Sequence, residues 1–293
     1  MAAITVGVPV YNGAAHLAQS LDCVLGQTFQ DLEVLVFDNA STDDTADIVA
    51  RYAERDPRVR YHRQPRNKGA VPNFGDLARA ATSPYFLWRA ADDLSDPNYI
   101  EALHRLLEAH PDKQLAVGRV VETFYGGEIR RMDILPETSG RDGWTDRLKI
   151  MFGAHATAIY GLYRTPPLVK AMTRIADRYG DPPWGWDFLT LLPFFLDGAV
   201  IQTDATTLEF VRPGPPRQKG RRRGPRQEMD FDAMLGARAR FLAIAREFSD
   251  ERHPSGFGWL FSRLIVWAYA GKRVYKVKRI VRRSVNRWLG RKI

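Results

Sequence analysis

Val34-Leu35-Val36-Phe37-Asp38-Asn39-Ala40-Ser41-Thr42-Asp43 is the stretch whose reading decides the fold. Four consecutive apolar residues with no polar alternation describe a strand covered on both faces, as parallel sheets flanked by helices require. The polar residues that follow break the strand. Ser41-Thr42-Asp43-Asp44 has the Ser-x-x-Asp form of a capping box and predicts a helix from there through about Glu54. The same unit occurs twice more. Ile4-Thr5-Val6-Gly7-Val8-Pro9-Val10 is an earlier buried strand that ends at Tyr11-Asn12-Gly13, and Tyr85-Phe86-Leu87-Trp88 is a later one that reaches Asp92-Asp93 after Arg89-Ala90-Ala91. With helices expected over 14–25, 73–81 and 98–110, and strands over 59–62 and 115–123, the order is βαβα. That order predicts an α/β fold with a mainly parallel sheet between helices.

Beyond residue 125 the rhythm changes. Gly126-Gly127 marks a hairpin, 145–152 a short helix, 159–163 a strand, and Pro166-Pro167 the opening of another helix. A buried helix is expected over 187–196 and a late strand over 208–211. Residues 212–228 carry four Pro, three Gly and seven basic residues, the signature of a loop. Helix returns over 230–247 and again from about 257 to the end. The expected organisation is a main domain over 1–212, with halves 1–125 and 126–212, then a basic loop over 213–229 and a helical, basic C-terminal region over 230–293.

Composition agrees with a folded enzyme-sized chain: 293 residues, 45% hydrophobic and 26% charged, enough for a large core. Cys23 is the single cysteine, which excludes an internal disulfide, and its apolar helical setting reads as plain core. The opening residues pass straight into a strand with no charged leader, which points to the cytoplasm. The net charge of +9 is unevenly placed. Residues 252–293 hold twelve of the 43 Lys and Arg and no acidic residue, so the rest carries 31 basic against 34 acidic residues. Such asymmetry points to a polyanionic partner for the tail.

In open α/β sheets ligands bind beyond the carboxyl ends of strands, which makes the acidic turns site candidates. Two adjacent Asp suit a hard cation that fills its shell with phosphate and water oxygens; capping of the helix after Asp96-Pro97 is the plainer reading. Asp38-Asn39 would read a base edge or a ribose, or only cap a helix. Tyr11 would stack on a base, or simply half-bury itself in a turn that Gly13 makes possible.

Taken in order, Val8-Pro9-Val10-Tyr11-Asn12-Gly13, Gln27-Thr28-Phe29, Leu32-Glu33-Val34, Asp38-Asn39-Ala40-Ser41-Thr42-Asp43, Arg66-Asn67-Lys68-Gly69 and Trp88-Arg89-Ala90-Ala91-Asp92-Asp93 resemble the family-two inverting glycosyltransferases of GT-A fold. The resemblance covers 4–125 closely and 126–212 more loosely. It implies that Pro9, Tyr11, Asp38 and Asn39 form the pocket for base and ribose. It also implies that Asp92 lies near the ribose or donor sugar, with Asp93 the ligand of a divalent metal (Mn2+ or Mg2+). Two positions depart from the pattern: Ala91 (or Ala90) stands where many relatives have a first Asp, and Asn39 where a second Asp is frequent. Trp184-Gly185-Trp186-Asp187-Phe188-Leu189 matches the stretch that supplies the general base, making Asp187 the catalytic candidate with Asp181 as its substitute. His155 and Arg164 fall in the acceptor-side segment before it.

The implied donor is a nucleotide-diphospho sugar, foremost a UDP-sugar, and the implied acceptor a glycan or lipid-linked hydroxyl. The Gln-x-x-Arg-Trp signature of processive synthases is absent, which favours single addition. A non-catalytic sugar-nucleotide binder, a tail-driven nucleic-acid binder and a nucleotidyltransferase are the rival readings. The last lacks a glycine-rich triphosphate loop. In the tail, Val274, Val277, Val281, Val285 and Trp288 recur at helical spacing between Arg273, Lys276, Arg279, Arg283 and Arg287. That pattern is a basic amphipathic helix suited to an anionic membrane surface at the inner face of the cell membrane; no nucleic-acid motif accompanies it.

Overall fold

The computed structural model describes residues 2–124, 129–132, 134–137, 143–181, 185–212 and 231–273. The βαβα reading holds through the first half. β1 (Ile4–Val10), α1 (Leu17–Leu25), β2 (Leu32–Asp38), α2 (Thr45–Arg55), β3 (Val59–Arg63), α3 (Ala70–Ala80) and β4 (Tyr85–Trp88) follow one another. β1 pairs in parallel with β2 and with β4, and β2 with β3, so the three acidic or polar turns leave one edge of the sheet side by side. Each helix has the face this needs. On α1, Leu17, Leu21 and Val24 fall at i, i+4 and i+7 and are all fully buried, worth roughly 1.5–3 kcal/mol apiece in apolar transfer.

The remaining elements are β5 (Asp93–Ser95), α4 (Tyr99–Ala109), β6 (Leu115–Phe124), β7 (Ile129–Met132), α5 (Trp144–Gly153), β8 (Leu162–Arg164), α6 (Thr165–Arg178), α7 (Trp186–Asp197), β9 (Val200–Arg212), α8 (Phe231–Asp250) and α9 (Gly256–Arg273). Together the strands form one mixed sheet in the order β3-β2-β1-β4-β8-β6-β9-β5, with β7 on β6. β8 is antiparallel to both β4 and β6, and this reversal joins the parallel first half to the second.

Several boundaries differ from expectation for physical reasons. Ser41 is not a helix cap: α2 begins at Thr45, and the Ser41 hydroxyl instead accepts the Asn12 amide at 2.8 Å. The expected strand over 159–163 is a 3-10 turn (Ala156–Tyr160) followed by the short β8. β5 was not foreseen, because three residues carry no periodicity; it exists by pairing antiparallel with β9. The Gly126-Gly127 turn, the 213–229 loop and the 274–293 tail lie outside the described residues, although β7 pairs antiparallel with β6 on the far side of that turn.

The described C-terminal helices pack on the second half rather than standing apart. Phe241 of α8 and Tyr269 of α9 are fully buried, and α8 lies against α6 and α7. Arg174 and Arg178 of α6 pair with Glu247 of α8, and Arg174 also with Glu251 just past its end. Such exposed pairs contribute little each, so the apolar contact does most of the holding.

Candidate active site

The turns after β1 and β2 are built as one unit. The Asn12 amide donates to Ser41, the Asn12 carbonyl oxygen Oδ1 accepts the Thr42 amide at 2.8 Å, and the amides of Gly13 and Ala14 donate to Thr45 Oγ1 and Asp43 Oδ2. Asp43 also accepts from the Thr45 hydroxyl, and these bonds hold its carboxyl below the usual range. Positive φ falls on Asn12 (53°) and Ala40 (63°), not on Gly13. Gly13 serves space instead: a Cβ there would sit 2.4 Å from Val10 Cγ2. Ala40 in the left-handed region costs about 1–2 kcal/mol and is held by the bonds on either side of it.

Within that unit Asp38 is fully buried. Its Oδ1 accepts the Ser41 amide at 2.8 Å, and its Oδ2 accepts the Tyr61 hydroxyl at 2.8 Å and the Arg63 guanidinium at 3.4 Å. Burial first, and Asp38 second, push the Tyr61 hydroxyl above its ordinary pKa. Asn39 is nearly as buried, at 4% exposure. Its Nδ2 donates to Asn67 Oδ1 (2.9 Å) and the Gly69 carbonyl (3.0 Å), while its Oδ1 accepts the Lys68 amide (2.9 Å). An amide nitrogen facing two acceptors explains why Asn stands where Asp is frequent. Pro9 is half-buried in β1, and Tyr11 is 51% exposed, leaving a flat ring open at the sheet edge. The 66–69 stretch belongs to the family pattern, but no local signal shows that Asn39 ties it to β2, nor the part of Tyr61 and Arg63. Their signal was only positional, at the end of the next parallel strand.

The third turn is separated from the first by one contact: the Gly13 position faces the Ala91 methyl. The Arg89 amide donates to the Gly7 carbonyl and the Ser20 hydroxyl to the Ala90 carbonyl, which anchors the turn to β1 and α1. Gln27, fully buried, donates to the Asp96 carbonyl and accepts the Ile100 amide. Cys23 is not plain core: its sulfur meets the Ser95 backbone in the same clasp.

The two Asp sit in opposite environments. Asp92 is exposed, whereas Asp93 is 2% exposed and pinned in β5 against Phe210. Behind Asp93 lies Arg89, fully buried, donating to Ser95 Oγ at 2.8 Å with its guanidinium 5.4 Å over the Tyr99 ring. Burial raises the Tyr99 hydroxyl to about 12; the Arg89 charge opposes that and the Asp93 charge reinforces it, so all three share one buried field. Among the described residues no group of three or more His, Cys, Asp or Glu forms a metal cage. The exposed Asp92 carboxylate is the kind of single oxygen donor compatible with a hard cation that fills its shell with phosphate and water.

Asp187 lies one residue inside α7, after Gly185 at φ 93°. Its Oδ1 accepts the Phe188 amide at 2.7 Å. Burial pushes the Asp187 carboxyl above the ordinary carboxylate range, opposed by nearby amides and by the Arg273 charge. Trp186 does not stand free: its ring meets Phe74 edge-on at 4.7 Å, and Phe74 meets Trp88 of β4, linking the head of α7 to the donor half. Trp184 lies outside the described residues. Asp181 is a helix cap, its carboxylate accepting the Val71 amide of α3 at 3.0 Å beside Gly69 at φ 88°. Arg164 is bound to the Lys113 and Leu107 carbonyls and the Tyr85 hydroxyl, a structural tie between β8, β4 and α4. His155 is exposed and caps the 3-10 turn through Thr157. A separate cavity of about 440 Å3, lined by residues such as Pro136, Arg147 and Gln202, contains none of these site residues.

Residues 5–162 match the model of the family described as glycosyl transferase family 2. A glycosyltransferase of Rickettsia typhi, RT0329, is 30% identical over 114 residues, covering 39% of this chain and 35% of that protein. Glycosyltransferase GlyG of Streptococcus pneumoniae is 30% identical over 115 residues, covering 39% of this chain and 38% of that protein. The matches thus span little more than a third of either relative. The crystal structure of S. aureus TarS 1-349 in complex with UDP-GlcNAc superposes with a TM-score of 0.59 at 16% identity, covering 91% of this chain and 79% of that one, a likeness of fold.

Proposed function

The chain belongs to glycosyl transferase family 2, and on that premise we propose that it is an inverting glycosyltransferase moving one sugar from a nucleotide-diphospho donor to an acceptor hydroxyl. The observation that carries this is the convergence of Tyr11, the Asp38–Asn39 turn and Asp92 at the carboxyl ends of adjacent parallel strands. The fold neighbour bound to UDP-GlcNAc supports a UDP-sugar as donor. Tyr11 stacks on the base. Asp38 and Asn39, buried in their own bonds, set the pocket wall and hold the 67–69 loop against it. The resemblance implies Asp93 on the metal and Asp92 nearer the sugar; with Asp92 exposed and Asp93 buried, we infer that Asp92 takes the diphosphate end, with Asp93 behind it. Those carboxylates would hold a divalent cation, Mn2+ or Mg2+, which when bound offsets the charge of the departing diphosphate.

Asp187 removes the proton from the acceptor hydroxyl, and the oxygen attacks the anomeric carbon from the face opposite the diphosphate. Attack from that face inverts the configuration. A carboxylate whose proton affinity is raised by burial is a stronger base than an exposed one. The acceptor is read as a glycan or lipid-linked hydroxyl in glycoconjugate synthesis, glycosylated once. The test is Asp187→Asn: transfer falls by roughly 100- to 10,000-fold while donor affinity persists. Near-normal transfer would overturn the assignment. Turnover of any donor into glycosylated product excludes the non-catalytic reading.

A further inference from the structure

α9 is apolar on two opposite faces. One buries Ile265, Val266, Tyr269 and Ala270. The other carries Leu260 (52% exposed), Leu264 (60%) and Trp267 (50%) at i, i+4 and i+7, a single stripe on a helix. Phe261 flanks that stripe, and its ring stands edge-on to exposed Trp144 of α5, 6.4 Å away. Five large apolar side chains thus form one open patch, larger than the scattered singles of an ordinary surface. Lys272, five residues after Trp267, is exposed with its ammonium 5.9 Å over the Phe152 ring, and residues 252–293 contain no acidic residue.

We propose that this face of α9 docks into the interfacial layer of an anionic lipid bilayer, with the helix lying in the plane of the membrane. Three observations select lipid over protein. Trp and Leu on one stripe with cations beside them match the depth profile of an interface, where rings sit at headgroup level and Lys reaches phosphate. Residues 252–293, of which α9 is part, hold twelve Lys and Arg and no acid, a charge complementary to an anionic leaflet. The same charges repel a second copy of the chain. No helix among the described residues is long and apolar enough to cross a membrane, so the patch rests on the surface. Arg273 of α9 grips Phe188 next to Asp187. A lipid-borne acceptor in that membrane would meet the base there, a consequence that, unlike the docking itself, rests on the transfer reading.

The test uses the full chain with vesicles of phosphatidylglycerol and phosphatidylcholine, against phosphatidylcholine alone. Co-sedimentation with the anionic vesicles, lowered at least tenfold in the Leu264→Glu/Trp267→Glu double variant, supports the proposal. Both side chains are exposed, and circular dichroism checks that the variant keeps its fold. If it does not, a dye on Leu264→Cys in a Cys23→Ser background reads the same contact: a blue shift with anionic vesicles supports docking, and no shift overturns it. Equal binding by the double variant, absence of vesicle binding by the wild type, or a dimer that the double variant dissolves would each overturn it. Because the readout is binding alone, failure here leaves the transfer reading intact.

Discussion

The guanidinium of Arg273 lies 4.1 Å over the ring of Phe188, the residue that follows Asp187. Arg273 also donates to the Met151 and Ala154 carbonyls at the end of α5, so it ties three helices at the candidate base. Burial raises the Asp187 carboxyl and the Arg273 charge opposes that rise. A base works ionised, so activity falls as pH drops through its pKa. Arg273→Leu removes the opposing charge, raises that pKa further and moves the acid limb of the pH–rate profile to higher pH; Arg273→Lys moves it less. The profile of each variant measures this, and an unmoved limb in the Leu variant contradicts it.

Asp181 and Asp187 separate by what they hold. Asp181 caps α3 across the two halves of the domain. Asp181→Ala is expected to cost about 1 kcal/mol of stability, a fall in Tm of about 2–4 °C, with the acid limb unmoved. Asp187→Asn does the reverse, sparing Tm and removing transfer. Thermal melts and initial rates on the same preparations decide it.

At Asn39 the structure makes a sign prediction. Asn39→Asp places a carboxylate against Asn67 Oδ1 and the Gly69 carbonyl, two acceptors with nothing to accept from it. Unmatched buried groups cost about 1–3 kcal/mol, so this apparently conservative change should destabilise as much as Asn39→Ala and weaken donor binding. A melting temperature equal to wild type contradicts the clasp.

Asp92 is exposed and Asp93 buried, and their Asn variants should differ accordingly. Asp92→Asn leaves Tm within about 1 °C, as surface changes do, but removes the part of UDP affinity that Mn2+ adds. Asp93→Asn disturbs the buried field with Arg89 and Tyr99 and lowers Tm. Calorimetric titrations with and without Mn2+ read the first, melts the second.

The parallel half was legible because buried strands such as 34–37 and amphipathic helices such as α1 announce themselves by period. Asp92-Asp93 was legible as a candidate site but not as a pair of opposites: burial of Asp93 comes from β5, which exists only through pairing with a strand more than a hundred residues away. Ser41 misled because its hydroxyl is taken by Asn12 across a turn, a contact no local capping rule contains. The setting of Asp187 was equally hidden: Trp186 beside it lays its ring edge-on against Phe74, again a long-range partner. Spacing singles out candidate residues; distant chain decides which way each one faces.

The central claim is that the three turns bind a nucleotide diphosphate, and thermal stabilisation by ligand tests it most directly. A ligand at 100 times its Kd adds about 2.7 kcal/mol to the native state. The account predicts that millimolar UDP raises Tm, that Mn2+ enlarges the rise, and that Asp92→Asn removes the enlargement. A chain whose Tm is moved by none of UDP, GDP, dTDP or CDP, with or without Mn2+, would contradict it.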